Sequence, residues 1–245
     1  KKACLECEKP ITAIKVGSSE IGVKAAFAHT ASENQGHSNA EYDKLFEESG
    51  VLREKTWQEF LDTSLALGNC PPLRGDNVVI ITNGGGAGLL AADHFERLGM
   101  PLKELKDISP DLRENIRNYM PAFGSPLNPV DISGTATSDM YGGALKTAYR
   151  DEHVDGILIS VCPTAVTDVE AITETVINIH RQYKNLGKPF IMECQGGNEC
   201  REAIMKLRDK GIPAYSTPEQ AVNAMVALRR YSHIMNKKEK LIKNI

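Results

Sequence analysis

A chain of 245 residues suits one to two domains, and its 41% hydrophobic and 25% charged residues supply a packed core under a solvated surface. The net charge of -3 offers no electrostatic attraction to nucleic acid or to an anionic membrane. No apolar run approaches the roughly 18 residues of a membrane helix, and six scattered cysteines point to a reducing compartment, with cytoplasm the default.

The opening KKACLECEKP starts on Lys1 and reads as the last turns of a helix already under way, as in a fragment of a longer polypeptide. Ile11–Val16 is a short β-branched run that predicts a buried strand, and residues 17–39 have no clear period and predict a long loop. A helix over Glu41–Ser49 stopped by Gly50, a strand over Val51–Thr56, and a helix over Trp57–Leu67 capped by Thr56 follow. Asn69–Gly75 is a linker by composition.

Beyond the linker the pattern becomes regular. Strands are predicted at Asn77–Thr82, Leu102–Leu105, Gly156–Val161, Pro189–Glu193 and Pro213–Tyr215, and Asn128–Ile132 reads as a strand or a loop. The helices between and after them cover Ala87–Leu98, Ser109–Tyr119 (Ser109 as cap, Pro110 first), Ser138–Arg150, Asp168–Asn185, Asn198–Lys210 and Pro218–Tyr231. This alternation implies a parallel sheet covered on both faces. The expected fold is α/β: a complete flavodoxin-like doubly wound domain over residues 71–235. Residues 1–70 supply too few strands for their own sheet and read as half of a second such domain; residues 236–245 are a frayed helix or linker.

The strongest chemical signal is VVIITNGGGAGLLAADHF, in which a buried strand runs into Asn83-Gly84-Gly85-Gly86-Ala87-Gly88 and a helix opens. Glycines let a ligand approach the backbone, and the free N–H groups and dipole of the helix favour a phosphate-like anion. The turn lacks the Lys-Ser/Thr of a nucleotide P-loop and fits the dinucleotide fingerprint poorly, with Leu89 or Ala91 where the last glycine belongs. Three consecutive glycines cost conformational entropy, which a bare turn would not require. His29 sits among small residues that leave an imidazole approachable, and histidine can act as a nucleophile. Asn128 and Asp131 read either as turn caps or as part of the phosphate site. Thr164, Thr167, Gly196 and Gly197 fall at strand ends that open on the same crevice, although Thr167 also fits as a helix cap. Cys4 and Cys7 have metal-ligand spacing but no second pair, so no metal is assigned.

Taken together, KPITAIKVGSSEIGVKAAFAHT, EYDKLFEESGVLREKTWQEFLD, NVVIITNGGGAGLLAAD and NPVDISG resemble the NDP-forming acyl-CoA synthetases, which include ADP-forming acetyl-CoA synthetase and, more distantly, succinyl-CoA synthetase. The likeness runs in order over residues 9–232. It implies that residues 1–70 and 71–235 are succinyl-CoA-synthetase-like flavodoxin units, with His29 the residue that becomes phosphorylated. The phosphoryl group would lie between two helix N-termini, one of them the helix after Asn83–Gly88. Asn128 and Asp131 would line or brace that site. The implied reaction is formation of an acyl-CoA from a carboxylic acid and CoA through an acyl phosphate, with ATP converted to ADP and phosphate. ATP/ADP, Mg2+ and CoA are then cofactors of the complete protein, none held tightly here. Its partners are a CoA-binding Rossmann domain and an ATP-grasp domain, with homodimer formation left open. Ala31 stands where the family carries glycine, and the loop to Tyr42 is longer. These departures keep an alternative: a non-catalytic regulatory module, as in fusions with lysine acetyltransferases.

Overall fold

The computed structural model describes residues 1–28 and 38–243. The N-terminal part contains α1 (Lys2–Glu6), β1 (Thr12–Ile14), α2 (Glu20–Ala28), α3 (Asn39–Ser49), β2 (Leu52–Glu54) and α4 (Trp57–Asn69). β1 and β2 pair in parallel as a two-stranded sheet. Ser38 and Thr56 each close a capping box, with Glu41 and Glu59 returning the bond, which fixes the starts of α3 and α4.

The remainder comprises β3 (Val78–Thr82), α5 (Gly85–Arg97), α6 (Leu105–Ile108), α7 (Leu112–Arg117), β4 (Val130–Asp131), α8 (Ser138–Arg150) and β5 (Gly156–Val161). It continues through α9 (Val169–Tyr183), β6 (Phe190–Cys194), α10 (Asn198–Asp209), β7 (Ala214–Tyr215) and α11 (Pro218–Lys243). The sheet is parallel throughout, in the order β4-β3-β5-β6-β7. This is the flavodoxin-like order, in which the first strand lies inside the sheet and the direction of winding reverses beside it. Strand residues alternate between two cores. Val79, Ile81, Ile157 and Ile159 join one with residues of α8, α9 and α10, whereas Val78, Ile80, Leu158 and Ile191 join another with residues of α5 and α11.

α11 also packs on α4, so the N-terminal part docks on the larger sheet. The Tyr215 hydroxyl donates to the Asp62 carbonyl at 2.7 Å, and Arg230 pairs with the buried Glu54 at 3.2 Å. Lys238 Nζ donates to the carbonyls of Cys4 and Cys7 at the end of α1. That spacing thus serves backbone acceptors, which favour a cation at a helix C-terminus.

Four sequence expectations change. Residues 17–39 hold α2, because Ser19 caps it through the Gly22 N–H and the alanine-rich EIGVKAAFA favours helix even without a clean apolar stripe. Leu102–Leu105 forms no strand: the Lys103 carbonyl bonds the Asn128 side chain, and Leu105 instead begins the buried turn α6. The helix predicted from Ser109 begins at Leu112, with Asp111 at its cap position. α11 runs on past Tyr231 to Lys243, in a stretch where no Gly or Pro interrupts it.

Candidate functional site

β3 and β5 are the strands between which the winding reverses, and ligands of such sheets bind outside their carboxyl ends. At the end of β3 the chain turns directly into α5. Gly84 is the N-cap residue, so the glycines form the first helical turn instead of a loop before it. The Gly84 N–H donates to Thr82 Oγ1 at 3.0 Å, and the Gly88 N–H donates to the Gly84 carbonyl at 3.2 Å. Among the described residues none accepts from the N–H of Gly85, Gly86 or Ala87. No side chain caps α5 or α10, whereas Ser38, Thr56, Thr137 and Asp168 cap α3, α4, α8 and α9. An uncapped helix start leaves donors and dipole to an anion.

Packing explains most of the glycines. A Cβ on Gly84 would lie 2.5 Å from Cys162 Sγ, one on Gly85 2.8 Å from Asp131 Oδ2, and one on Gly88 3.0 Å from Pro129 Cβ. The close approach of two neighbouring segments, one at Cys162 and one at Pro129–Asp131, therefore favours glycine at these positions, most strongly at Gly84, and accounts for them without a ligand. Gly86 alone faces open space, with nothing within 4 Å of its would-be Cβ. The approach to the three free donors is thus left uncovered.

Asn83 is the clamp beneath this turn, and its side chain is turned away from the open donors. Its Oδ1 accepts from the Cys162 N–H at 2.8 Å and from the Tyr141 hydroxyl at 3.0 Å, and its Nδ2 donates to the Cys162 carbonyl at 2.8 Å. It reaches Thr167 Oγ1 at 3.4 Å as well, and only 3% of the residue is exposed. A side chain so fully engaged has nothing left to offer a phosphate. Thr167 in turn accepts from the Thr164 N–H, and Thr164 Oγ1 donates to the Gly134 carbonyl at 2.9 Å. Asp168, and not Thr167, caps α9. One network therefore joins the ends of β3 and β5 to the loop after β4.

Asn128 is displaced from the crevice. Its amide bonds the Ile80 N–H and the Val78 carbonyl, at 3.1 and 2.8 Å, and so continues the ladder of the two-residue β4 along the middle of β3. Asp131 does reach the turn, pressing against Gly85 while its Oδ1 accepts from the Ser133 N–H at 2.8 Å. Its carboxylate braces the helix start, where the dipole favours negative charge. Gly196 packs on Pro163 of the neighbouring loop, and Gly197 is the N-cap residue of α10. His29 and Ala31 lie outside the described residues; His29 directly follows α2 in the chain.

Sequence reasoning missed the residues under the crevice. Thr82, Ser160 and Glu193 occupy one register across β3, β5 and β6, with Tyr215 next on β7. Burial pushes the Glu193 carboxyl up to about 7 and the Tyr141 hydroxyl well above its ordinary value. Alternation along VVIIT, ILISV and FIMEC signals a shared face, but only the pairing register sets the three side by side.

Residues 78–237 match the Ligase-CoA domain family, and residues 2–67 match the succinyl-CoA ligase like flavodoxin domain. The chain is 43% identical over 231 residues to the acetate–CoA ligase [ADP-forming] I subunit alpha of Pyrococcus furiosus, covering 92% of this chain and 47% of that one. It is 30% identical over 234 residues to the 4-hydroxybutyrate–CoA ligase [ADP-forming] of Nitrosopumilus maritimus, covering 95% of this chain and 32% of the relative. Among solved structures, the dinucleotide forming acetyl-coenzyme A synthetase 1 of Ca. Korarchaeum cryptofilum, in complex with phosphate and ADP, superposes with a TM-score of 0.89 at 34% identity. That superposition covers 98% of this chain and 50% of the other. The chain thus spans about half the length, or less, of these relatives. With a flavodoxin-like sheet, an uncapped helix at its switch point and both domain matches in order, the chain belongs to the Ligase-CoA domain family.

Proposed function

We propose that this chain is the phosphoryl-holding part of an ADP-forming acyl-CoA ligase. In this reading the His29 imidazole takes a phosphoryl group from ATP and passes it to a carboxylic acid, and the CoA thiol displaces phosphate from the resulting acyl phosphate. The observation that carries the reading is the set of three open N–H groups at Gly85, Gly86 and Ala87, outside the switch point of the sheet. Donors fixed in advance stabilise phosphoryl oxygens without reorganising during transfer. Asn83, Thr164 and Asp131 hold that cradle in shape, and Gly196 and Gly197 extend its rim toward the start of α10, which also has no side-chain cap.

Relatives named for acetate and 4-hydroxybutyrate point to a small carboxylic acid as the acyl donor. Nucleotide and CoA are assigned to the complete protein, with its ATP-grasp and CoA-binding domains as partners in the cytoplasm. Magnesium is likewise assigned to the complete protein, where it would accompany the nucleotide. No helix among the described residues is long and apolar enough to cross a membrane.

Incubation of the full-length protein with γ-labelled ATP should place acid-labile phosphate on His29, and His29→Ala should abolish both the label and acyl-CoA formation. Acyl-CoA formation that survives His29→Ala would refute the phosphohistidine route. A folded wild-type protein that takes no label and makes no acyl-CoA would instead be the regulatory module. The isolated 245-residue chain is expected to show binding without net ligase turnover in a coupled ADP assay.

A further inference from the structure

Glu193 lies near the end of β6, wholly buried, and among the described residues neither carboxyl oxygen has a hydrogen-bond partner. Ser160, its register neighbour on β5, is 1% exposed, and its hydroxyl faces the Glu193 carboxyl closely enough to lower that group's proton affinity while falling short of full hydrogen-bond geometry. Thr82, the next residue across the row, both accepts from and donates to Gly84, the N-cap of α5. A row of polar side chains thus runs under the sheet's edge from the open helix start to an unsatisfied carboxyl. Buried polar groups are nearly always paired, and a wholly buried carboxyl whose neighbour across the strands is a single serine hydroxyl is most readily completed by a proton.

We infer that Glu193 and Ser160 form a buried proton-binding site whose occupancy is coupled to the anion at the Gly85–Ala87 donors: anion binding draws a proton from solvent onto Glu193. This rests on the phosphate-site reading and assigns that site a dependence on pH. The groups around Glu193 are Glu219 of α11, Cys162 after β5, Cys194 of its own strand, Cys200 of α10, Tyr141 of α8 and the register neighbour Tyr215. None of them carries positive charge, so a proton is the counter-charge at hand. Burial already holds the carboxyl near neutrality, at about 7, where a modest field changes its charge. Two strand spacings, roughly 10 Å, separate β6 from β3. One negative charge at that range changes a partly screened group's proton affinity by roughly tenfold.

The test uses the full-length protein with sulfate as probe, since sulfate does not itself titrate near neutral pH. Infrared spectroscopy reads the protonated carboxyl band of Glu193, assigned by its loss in Glu193→Gln. The amides of labelled glycine, assigned through Gly86→Ala, report sulfate at the turn. The expected result is a band that titrates near neutral pH and whose midpoint rises by about one pH unit when sulfate binds. Should Glu193→Gln fail to fold, Ser160→Ala supplies the assignment by displacing the band without removing it. A glycine response with an unmoved Glu193 midpoint, or no protonated band near neutral pH, overturns the coupling and leaves the phosphate site standing. No glycine response at saturating sulfate overturns the phosphate site and the coupling together.

Discussion

The Asn83 amide ties the backbone on both sides of Cys162 to the Tyr141 hydroxyl, so its loss strands several buried groups at once. Asn83→Ala is expected to cost about 3 kcal/mol, since each buried polar group left unpaired costs about 1–3 kcal/mol. Urea unfolding would measure this, and an unchanged midpoint would show that water replaces the clamp. The glycines of the turn should separate in the same assay. Gly84→Ala drives a methyl into Cys162 and should lose about 1–3 kcal/mol, partly regained when Cys162→Ala is added. Gly86→Ala meets open space within a helix and should leave stability unchanged or raised by about 0.5–1 kcal/mol. Equal losses at the two positions would contradict the packing account.

At the scale of elements, α11 joins the parts of the molecule, covering α5 and β6 on the larger sheet and receiving α4 from the smaller unit. Its Arg230 answers Glu54, which is 5% exposed and whose carboxyl is raised by burial and lowered again by that guanidinium. Arg230 is itself about half exposed, so the pair is worth less than a fully enclosed one. Arg230→Met is expected to cost about 1–2 kcal/mol at neutral pH, because it leaves a buried carboxylate without its counter-charge. The loss should shrink as acid protonates Glu54, so wild-type and variant melting curves recorded at falling pH should converge. Curves that stay parallel would assign the effect to the lost side-chain packing alone.

For the whole molecule, Glu193 makes stability depend on pH. Its ordinary value is 4.5 and its folded value is about 7, so the folded state binds the proton more tightly. The contribution is fully present below pH 4.5 and is lost as pH rises through about 7, with a span on the order of 3 kcal/mol. Glu193→Gln holds a neutral group at every pH and should flatten that part of the profile, leaving the variant more stable than wild type above neutrality. Thermal melts across this range would show it, and a variant profile parallel to wild type would remove Glu193 as the source. Exposed pairs such as Lys1–Glu48 should contribute little to the same profile, because solvent screens them.

Much of this was written in local sequence: the apolar runs of β3, β5 and β6, the cap Thr56, and the strand-to-glycine-to-helix passage at residues 78–97. Those features depend on neighbours a few residues apart, where side-chain period and hydrogen-bond reach act directly. Why Gly84 and Gly85 must lack a side chain was not legible, since Cys162 and Asp131 arrive from distant segments. Nor was the turning of Asn83 toward β5, or of Asn128 toward the middle of β3, because either amide could equally have faced a ligand until the strand order fixed its partners. The alignment of Thr82, Ser160 and Glu193 likewise follows from pairing register. Strand–helix alternation and the glycine run together determined that this chain builds a doubly wound sheet with a glycine-rich helix start. Only tertiary packing decided which polar groups remain unpaired beneath it, because that is settled by contacts between strands that the chain brings together from far apart.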